Sequence, residues 1–186
     1  DAIPDSTIEA MMPEERINDH RNRSLDPDNP VVRGTSQNPD VFFQAREAAN
    51  LHYQKVPEIV QNTMDEFYNH TGRKYNLFYY IGHPEAEKVM IIMGSAQGPV
   101  MEAVDTMVKN GEKVGAIIVR LFRPFSISHF VDSLPKTVKK IAVLDRTKEP
   151  GSIGEPLYMD IVSALAEANR SMSKILGGRY GLSSKE

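Results

Sequence analysis

The length of 186 residues fits one domain with an appendage. The 40% of hydrophobic and 25% of charged residues are typical of a soluble globular protein. It contains no cysteine, which excludes disulfides and thiolate metal sites within this chain. No apolar run approaches the roughly 18 residues of a membrane-spanning helix, and no N-terminal segment resembles a signal peptide. We therefore expect a cytoplasmic protein without membrane insertion.

The net charge of −3 conceals an uneven distribution of charge along the chain. Residues 1–72 hold 13 Asp or Glu against 6 Lys or Arg, a balance of −7, whereas residues 113–148 hold 8 Lys or Arg against 2 Asp, a balance of +6. Such asymmetry suits an anion-binding surface, but it equally suits segments that dock on each other or on neighbours. We expect no nucleic-acid partner, because the basic residues lack interleaved aromatics and a known binding motif.

The first 72 residues predict short helices around an extended segment. Ser6 or Thr7 could cap the first helix. The prolines between residues 25 and 40 predict extended and turn conformations, because the residue before a proline is disfavoured in the α region. Asn38 is expected to cap the next helix, and Gly72 to end the last one of this region.

From residue 87 onward, apolar β runs alternate with helical segments. The β runs are EKVMIIMG, KVGAIIVRLF and KKIAVLD, and the helical segments are SAQGPVMEAVDTMVKNG, RPFSISHFVDSLPK and EPLYMDIVSALAEAN. Because the β runs are apolar throughout, we expect strands buried on both faces, as in a parallel sheet with right-handed crossovers. The stretch SKILGGRYG could add an edge strand. The pattern predicts a parallel α/β domain preceded by an arm.

Three turns follow the β runs at one edge of the predicted sheet, namely GSAQG at 94–98, RLFRPF at 120–125 and DRTKEPG at 145–151. Ligands of open α/β sheets bind beyond the carboxyl ends of the strands, so this edge is the candidate site. GSAQG could offer backbone N–H groups to a phosphate, but it lacks the GxGxxG spacing and a P-loop lysine. A plain turn in which Ser95 caps the next helix is the favoured interpretation.

The four cations at this edge are Arg120, Arg123, Arg146 and Lys148. They could converge on one anion, because the guanidinium groups of the arginines suit carboxylate and phosphate. The favoured alternative is pairing with acids of a neighbouring domain or with Asp145, Glu149 and Glu155. The five histidines are scattered without HxH or HExxH spacing, which argues against a metal site. The absence of a GxSxG motif argues against a serine nucleophile.

Four stretches carry a resemblance to the pyruvate:ferredoxin (flavodoxin) oxidoreductase family, and the resemblance extends over nearly the whole chain. They are RGTSQNPDVFFQAREAAN, MGSAQGPVMEAVD, GEKVGAIIVRLFRPFSISHFVDSLPKTVKKIAVLDRTKEPGSIGEPLYMDI and GGRYGLSSKE. Within them, VRLFRPF, LPKTVKKIAVLDRTKEPG and GEPLY are long and specific. The resemblance leaves the electron acceptor, ferredoxin or flavodoxin, open.

The resemblance implies a thiamine diphosphate, magnesium and 4Fe-4S enzyme that forms a homodimer. Such an enzyme oxidises pyruvate with coenzyme A to acetyl-CoA and carbon dioxide, and passes electrons to ferredoxin or flavodoxin. Family chains are several times longer, and this one resembles their second domain, related to the C-terminal domain of transketolase. The implied fold is a three-layer α/β domain with a mostly parallel sheet over residues 73–186. Residues 1–72 would be an arm and helices that link it to the pyrimidine-side thiamine domain.

By resemblance, no established catalytic, cofactor-binding or metal-binding residue falls inside the chain, which we expect to be an excised and inactive part of the enzyme. The charged edge then becomes an interdomain contact surface formed by Arg120, Arg123, Asp145, Arg146, Lys148 and Glu149. In isolation, Arg146 and Lys148 are expected to be solvated. Two alternatives stay open: an autonomous α/β domain that binds an anion or small ligand, and the equivalent domain of another 2-oxoacid:ferredoxin oxidoreductase.

Overall fold

The structure is a computed structural model that describes residues 2–32, 34 and 36–183. The chain divides into two compact units, Asp1–Tyr75 and Asn76–Glu186. No helix in the described ranges combines the length and the apolar character that crossing a bilayer requires.

The first unit is built from short helices. Their bounds are Asp5–Met11 (α1), Glu14–Arg21 (α2), Pro39–Ala48 (α3), Asn50–Tyr53 (α4) and Val56–Thr71 (α5). Pro39 suits the first position of α3, because proline has the φ of a helix and its missing N–H would have no helical partner there. Gly72 ends α5 with a left-handed φ of 70°, and its N–H donates to the Tyr68 carbonyl over 2.8 Å. The end of α5 therefore lies where the sequence predicts it.

The side-chain caps predicted for this unit do not form. Pro4 stands at the N-cap position of α1, and Ser6 and Thr7 both lie inside the helix. The prediction that one of these two residues caps α1 was therefore wrong. Asn38 does occupy the N-cap position of α3, but its side chain makes no capping hydrogen bond.

The second unit is an α/β domain. Its strands are Phe78–Gly82 (β1), Lys88–Ile92 (β2), Val114–Val119 (β3), Lys140–Asp145 (β4) and Lys174–Arg179 (β5), and its helices are Gln97–Lys109 (α6), Ile127–Ser133 (α7) and Pro156–Glu167 (α8). The strand order is β1-β3-β2-β4-β5, with β1 antiparallel to β3 and all other neighbours parallel. The sequence predicted β2 to β5 and missed β1.

The pairing of β1 with β3 depends on a close approach at two glycines. A Cβ at Gly82, whose φ is 123°, would lie 2.5 Å from the Gly115 Cα, and a Cβ at Gly115 would lie 2.3 Å from the Tyr80 hydroxyl oxygen. Gly82 has a positive φ and meets backbone atoms, so this position requires glycine, whereas a side chain at Gly115 would displace the Tyr80 ring. Tyr80 lies over Gly115, and its hydroxyl donates to the His83 carbonyl over 2.6 Å.

Helices cover the sheet on both faces. On one face, α7 packs on β1, and α8 packs on β4 and β5. On the other face, α6 packs on β3 and β1. The β2–β3 and β3–β4 connections run in opposite directions across the sheet, and right-handed crossovers then place α6 on the face opposite α7 and α8. Every residue of β3 is buried, as expected for a strand covered on both sides. The predicted three-layer α/β class with a mostly parallel sheet is confirmed.

Candidate functional site at the carboxyl edge of the sheet

The carboxyl ends of β2, β4 and β5 meet at one edge of the sheet. The chain leaves β2 towards β3 but leaves β4 towards β5, so the strand order reverses between the adjacent strands β2 and β4. Ligands of open α/β sheets bind beyond the strand ends at such a reversal. We call the residues found there, 93–95, 145–149 and 179–181, the carboxyl edge.

Asp145, the last residue of β4, is fully buried and caps α8 from outside the helix. Its Oδ1 accepts the Leu157 N–H over 2.8 Å, and its Oδ2 accepts the Tyr158 N–H over 3.1 Å. The first N–H groups of a helix have no partner within it and form the positive end of its dipole, which favours a carboxylate. Burial raises the pKa of Asp145, and the two backbone hydrogen bonds oppose that rise. Asp145 therefore ties β4 to α8 inside the domain.

Glu155, at the N-cap position of α8, is the other buried carboxylate in the described part of the chain. It pairs with Arg179 of β5, lies 3.6 Å from Lys148 Nζ, and accepts the Glu149 N–H over 2.8 Å. Burial alone would raise its pKa, but the hydrogen bonds from Glu149 and Arg179, with the charge of Lys148, outweigh burial and lower the pKa. The loop between β4 and α8 is therefore folded around the Glu155 carboxylate.

Arg146 spans the carboxyl edge. Its Nη1 donates to Ser95 Oγ over 2.8 Å, and its Nε donates to the Gly181 carbonyl over 3.1 Å. The exposed guanidinium thus joins the turn after β2 to the segment after β5. The sequence predicted that Ser95 caps α6, but this was wrong, because Ala96 occupies the N-cap position. Arg146 and Lys148 are both exposed to solvent, as expected for the isolated chain, and each also has a partner within the chain.

Tyr180 fills the same edge from the β5 side. Its N–H donates to the Asp145 carbonyl over 3.0 Å, and its hydroxyl donates to the Met93 carbonyl. A Cβ at Gly94, whose φ is 89°, would lie 3.1 Å from the Tyr180 hydroxyl oxygen. Side chains and backbone of this chain therefore occupy the place where the strand order reverses. Met93 and Tyr180 are 87 residues apart in sequence, so no local pattern could predict their contact.

Arg120 and Arg123 follow β3 and have partners of their own. The Arg123 guanidinium pairs with Asp160 of α8 and lies 3.9 Å from the centroid of the Phe122 ring. The Arg120 guanidinium lies 5.7 Å from the centroid of the Tyr79 ring, a cation–π distance. The four cations named from the sequence are thus divided among separate partners.

The charged groups at this edge form hydrogen bonds and ion pairs that hold the loops in place. Both buried carboxylates are bonded to backbone N–H groups or to cations. The 2–32, 34 and 36–183 ranges contain no group of three or more His, Cys, Asp or Glu that could hold a metal ion. Elsewhere, Ser126 Oγ lies 2.7 Å from His129 Nδ1, one turn apart at the start of α7. A serine nucleophile also needs a group that orients the histidine, and within the described ranges His129 makes no hydrogen bond with a carboxylate.

Comparisons with known proteins identify the family of the chain. Residues 86–183 match the family model described as pyruvate:ferredoxin oxidoreductase core domain II. The chain is 52% identical over 189 residues to a probable pyruvate-flavodoxin oxidoreductase of Escherichia coli K12, covering 99% of this chain and 16% of that protein. It is 51% identical over 186 residues to the pyruvate:ferredoxin oxidoreductase of Moorella thermoacetica, covering 100% of this chain and 16% of that protein.

Two more distant likenesses were found. The chain is 47% identical to the mitochondrial NADP(+) pyruvate dehydrogenase of Euglena gracilis, covering 99% of this chain and 10% of that protein. A solved 2-oxoglutarate:ferredoxin oxidoreductase from Magnetococcus marinus matches with a TM-score of 0.41 and 22% identity, over 67% of this chain and 20% of that chain. The chain spans about one sixth or less of the length of these three curated relatives. Because the family model matches residues 86–183 of the 186, the chain belongs to the pyruvate:ferredoxin oxidoreductase family, in its core domain II.

Proposed function

We propose that this chain is a structural and docking domain of a pyruvate:ferredoxin (flavodoxin) oxidoreductase. The complete enzyme converts pyruvate and coenzyme A to acetyl-CoA and carbon dioxide, and it passes electrons to ferredoxin or flavodoxin. The Escherichia coli and Moorella relatives, which are named as a probable pyruvate-flavodoxin and a pyruvate:ferredoxin oxidoreductase and are 52% and 51% identical, support the proposal. A homodimeric, cytoplasmic enzyme is part of the same proposal.

The observation that carries the docking role is the filled carboxyl edge. In an α/β domain that binds a ligand, backbone groups and side chains at the strand-order reversal face that ligand. Here Arg146, Ser95, Tyr180 and Met93 are bonded to one another or to neighbouring backbone instead. These bonds hold the loop ends in a fixed shape, which suits a surface that meets another domain.

The cofactors of the complete enzyme belong, in this proposal, to other domains. Thiamine diphosphate, magnesium and 4Fe-4S clusters are implied by the family. Cluster irons are ligated by cysteine thiolates, and the chain has no cysteine, so its residues do not fit such a group. The lack of cysteine in this chain supports the part of the proposal that places electron transfer in the rest of the polypeptide.

The proposed interdomain contact uses the exposed side chains of the carboxyl edge together with Arg123, which follows β3. Arg123, Arg146, Lys148 and Glu149 are exposed, whereas Asp145 is buried under α8. Asp145 therefore contributes by fixing the loop, and the exposed charges contribute by meeting acids or carbonyls of a neighbouring domain. Arg120, half-buried against Tyr79, lies at the rim of the same surface in this proposal.

The proposal is tested by comparing the chain alone with the chain inside a longer enzyme. The corresponding segment of the Escherichia coli relative is replaced by this chain, and pyruvate-dependent reduction of a viologen dye is measured with thiamine diphosphate, magnesium and coenzyme A. We expect background rates for the 186-residue chain and activity for the chimera. Turnover by the chain alone would contradict the docking role, and a folded but inactive chimera would contradict the assignment to this enzyme.

The alternative of an autonomous anion binder has its own test. Calorimetric titration of the 186-residue chain with inorganic phosphate and with coenzyme A should give no heat of binding, because the Arg146 guanidinium is already bonded to Ser95 and Gly181. Binding that is lost in Arg146→Ala and kept in Lys109→Ala would instead establish a ligand site at the carboxyl edge.

A further inference from the structure

The sheet face that carries α6 is covered over only part of its width. Within the described residues of the second unit, α6 packs on β3 and β1, while α7 and α8 lie on the opposite face. A groove of about 300 Å³ remains over β2, β4 and β5 beside α6. Leu176 of β5, 51% exposed, and Met107 of α6, 36% exposed, line it. Parallel sheets are normally covered on both faces, so this face lacks part of its third layer.

The exposure along β4 shows the same asymmetry. Successive side chains of a strand point to opposite faces. Ile141 and Val143, which point towards α8, are buried, whereas Ala142 and Leu144, which point towards the groove face, are half-buried. The groove face is therefore apolar and still partly exposed to solvent.

Three lysines stand in register across the amino end of the groove. Lys88, Lys140 and Lys174 are paired positions on β2, β4 and β5, so their side chains leave the same face of the sheet, and all three line the groove. Neighbouring strands are about 4.8 Å apart, and like charges directly opposite each other destabilise a sheet. We call these residues the lysine ladder.

The described residues supply no ion pair for the lysine ladder. Two acids at the same edge of the sheet, Glu85 and Glu87, are paired with other lysines, Lys113 at 2.9 Å and Lys139 at 3.0 Å. Those hydrogen bonds lower the pKa of each glutamate, and the charge of the adjacent Lys88 adds to the effect on Glu87. The ladder thus combines three exposed cations with an apolar groove, a combination that matches a partner with apolar side chains and carboxylates.

We propose that the groove docks an amphipathic, acidic helix supplied by another part of the longer polypeptide. The inference rests on the proposed function, under which most of the polypeptide lies outside this chain, since the relatives are about six times longer. A helix is the element that covers a parallel sheet face. Its apolar side chains pack on Leu176, Met107 and Ala142, and its carboxylates lie on the lysine ladder. A small anion would use the ladder but not the groove.

The inference is tested by the reactivity of lysine amines in two settings, the 186-residue chain and the Escherichia coli chimera. Acylation requires the neutral amine, and a carboxylate that raises a lysine pKa by one unit lowers the neutral fraction about tenfold. We expect Lys140 and Lys174 to be acylated about tenfold more slowly in the chimera, measured by mass spectrometry. Lys136, exposed and outside the groove, serves as the matched control and should react equally in both.

The outcomes separate this inference from the proposed function. An active chimera with an unprotected ladder would overturn the docking helix and leave the function standing. A protected ladder in an inactive chimera would support the helix while contradicting the function. Protection of the ladder in the isolated chain by inorganic triphosphate would mean a small-anion site and would overturn the helix.

A second measurement needs no chimera. In the 186-residue chain, Lys140→Glu replaces the repulsion of residue 140 with Lys88 and Lys174 by attraction. We therefore expect a rise of a few degrees in melting temperature. Lys136→Glu should leave the melting temperature unchanged. A ladder variant that destabilises the isolated chain would overturn the idea of repulsion that a partner relieves.

Discussion

Asp145 and Glu155 are both buried, yet their pKa values shift in opposite directions because their partners differ. Asp145 meets neutral backbone N–H groups, so the loss of hydration dominates and raises its pKa. Glu155 also meets the charges of Arg179 and Lys148, which help to lower its pKa. Glu155 therefore contributes stability that is present above the ordinary carboxyl pKa and is lost as the pH falls through its lowered pKa. The contribution of Asp145 has the reverse dependence on pH, because a raised pKa makes stability fall as the pH rises.

The substitution Asp145→Asn tests this reverse dependence. The raised pKa means that the folded chain binds the proton more tightly than the unfolded chain does. Between the ordinary value of 3.8 and the raised value, the free energy of unfolding falls as the pH rises. The neutral Asn does not titrate, so the stability advantage of the parent chain should shrink with rising pH, measured by urea titrations at several pH values. An advantage that grows with pH would contradict the raised pKa.

The bond between Arg146 and Ser95 is tested by a double-mutant cycle on the isolated chain. A hydrogen bond contributes about 0.5 to 1.5 kcal/mol net, and an exposed one lies at the low end of that range. We expect Arg146→Ala and Ser95→Ala to be coupled by about 0.5 kcal/mol in the free energy of unfolding. Arg146→Ala and Lys109→Ala should be additive. Additivity in the first pair would mean that Arg146 does not hold the turn after β2.

At the scale of elements, apolar runs predicted the central sheet. Ile91, Ile117, Ile118 and Val143 are buried as the runs require. β1 was missed, although its aromatic and β-branched residues, bounded by Asn76 and Gly82, were a usable signal. The pairing of β1 is antiparallel and depends on contacts with β3 some 40 residues later, so the βαβ pattern does not include it.

The substitution Gly115→Ala tests the close approach of β1 and β3. The new Cβ would lie 2.3 Å from the Tyr80 hydroxyl oxygen, so the ring must move within a packed layer. Overpacking of this kind costs about 1 to 3 kcal/mol of the free energy of unfolding, which denaturant titration measures. Gly98→Ala in α6 has no atom within 4 Å of the new Cβ and should be neutral or stabilising, because alanine favours helix. Equal effects of the two changes would show that β1 is not held at this position.

For the whole molecule, the sequence placed the charged residues at the correct edge but could not assign their partners. The turn after β4 was predicted because an apolar run ends at Asp145, which is local information. The contacts of Arg146 with Ser95 and Gly181 join three separate strand ends, and only the folded sheet brings those ends together. The interdomain role of these residues remains a prediction, and so does the identity of the electron acceptor.

The names of the relatives suggest that the segment corresponding to this chain does not select the electron acceptor. The Escherichia coli, Moorella and Euglena proteins are named for flavodoxin, ferredoxin and NADP(+), yet each is 47 to 52% identical to this chain. The chain also has no cysteine with which to hold an electron-transfer cluster. Acceptor choice should therefore reside in other parts of those proteins.

Exchange of this segment between two hosts tests that conclusion. The chain replaces the corresponding segment of the Escherichia coli protein and of the Moorella protein, and kcat/KM is measured for flavodoxin and ferredoxin. Each chimera should keep the acceptor ratio of its host to within about tenfold, a change of ~1.4 kcal/mol at most. The control places the Moorella segment in the Escherichia coli host, which separates the effect of any foreign segment from that of this chain. If both chimeras acquired the same acceptor preference whatever the host, the segment itself would select the acceptor, and a purely structural role would be wrong.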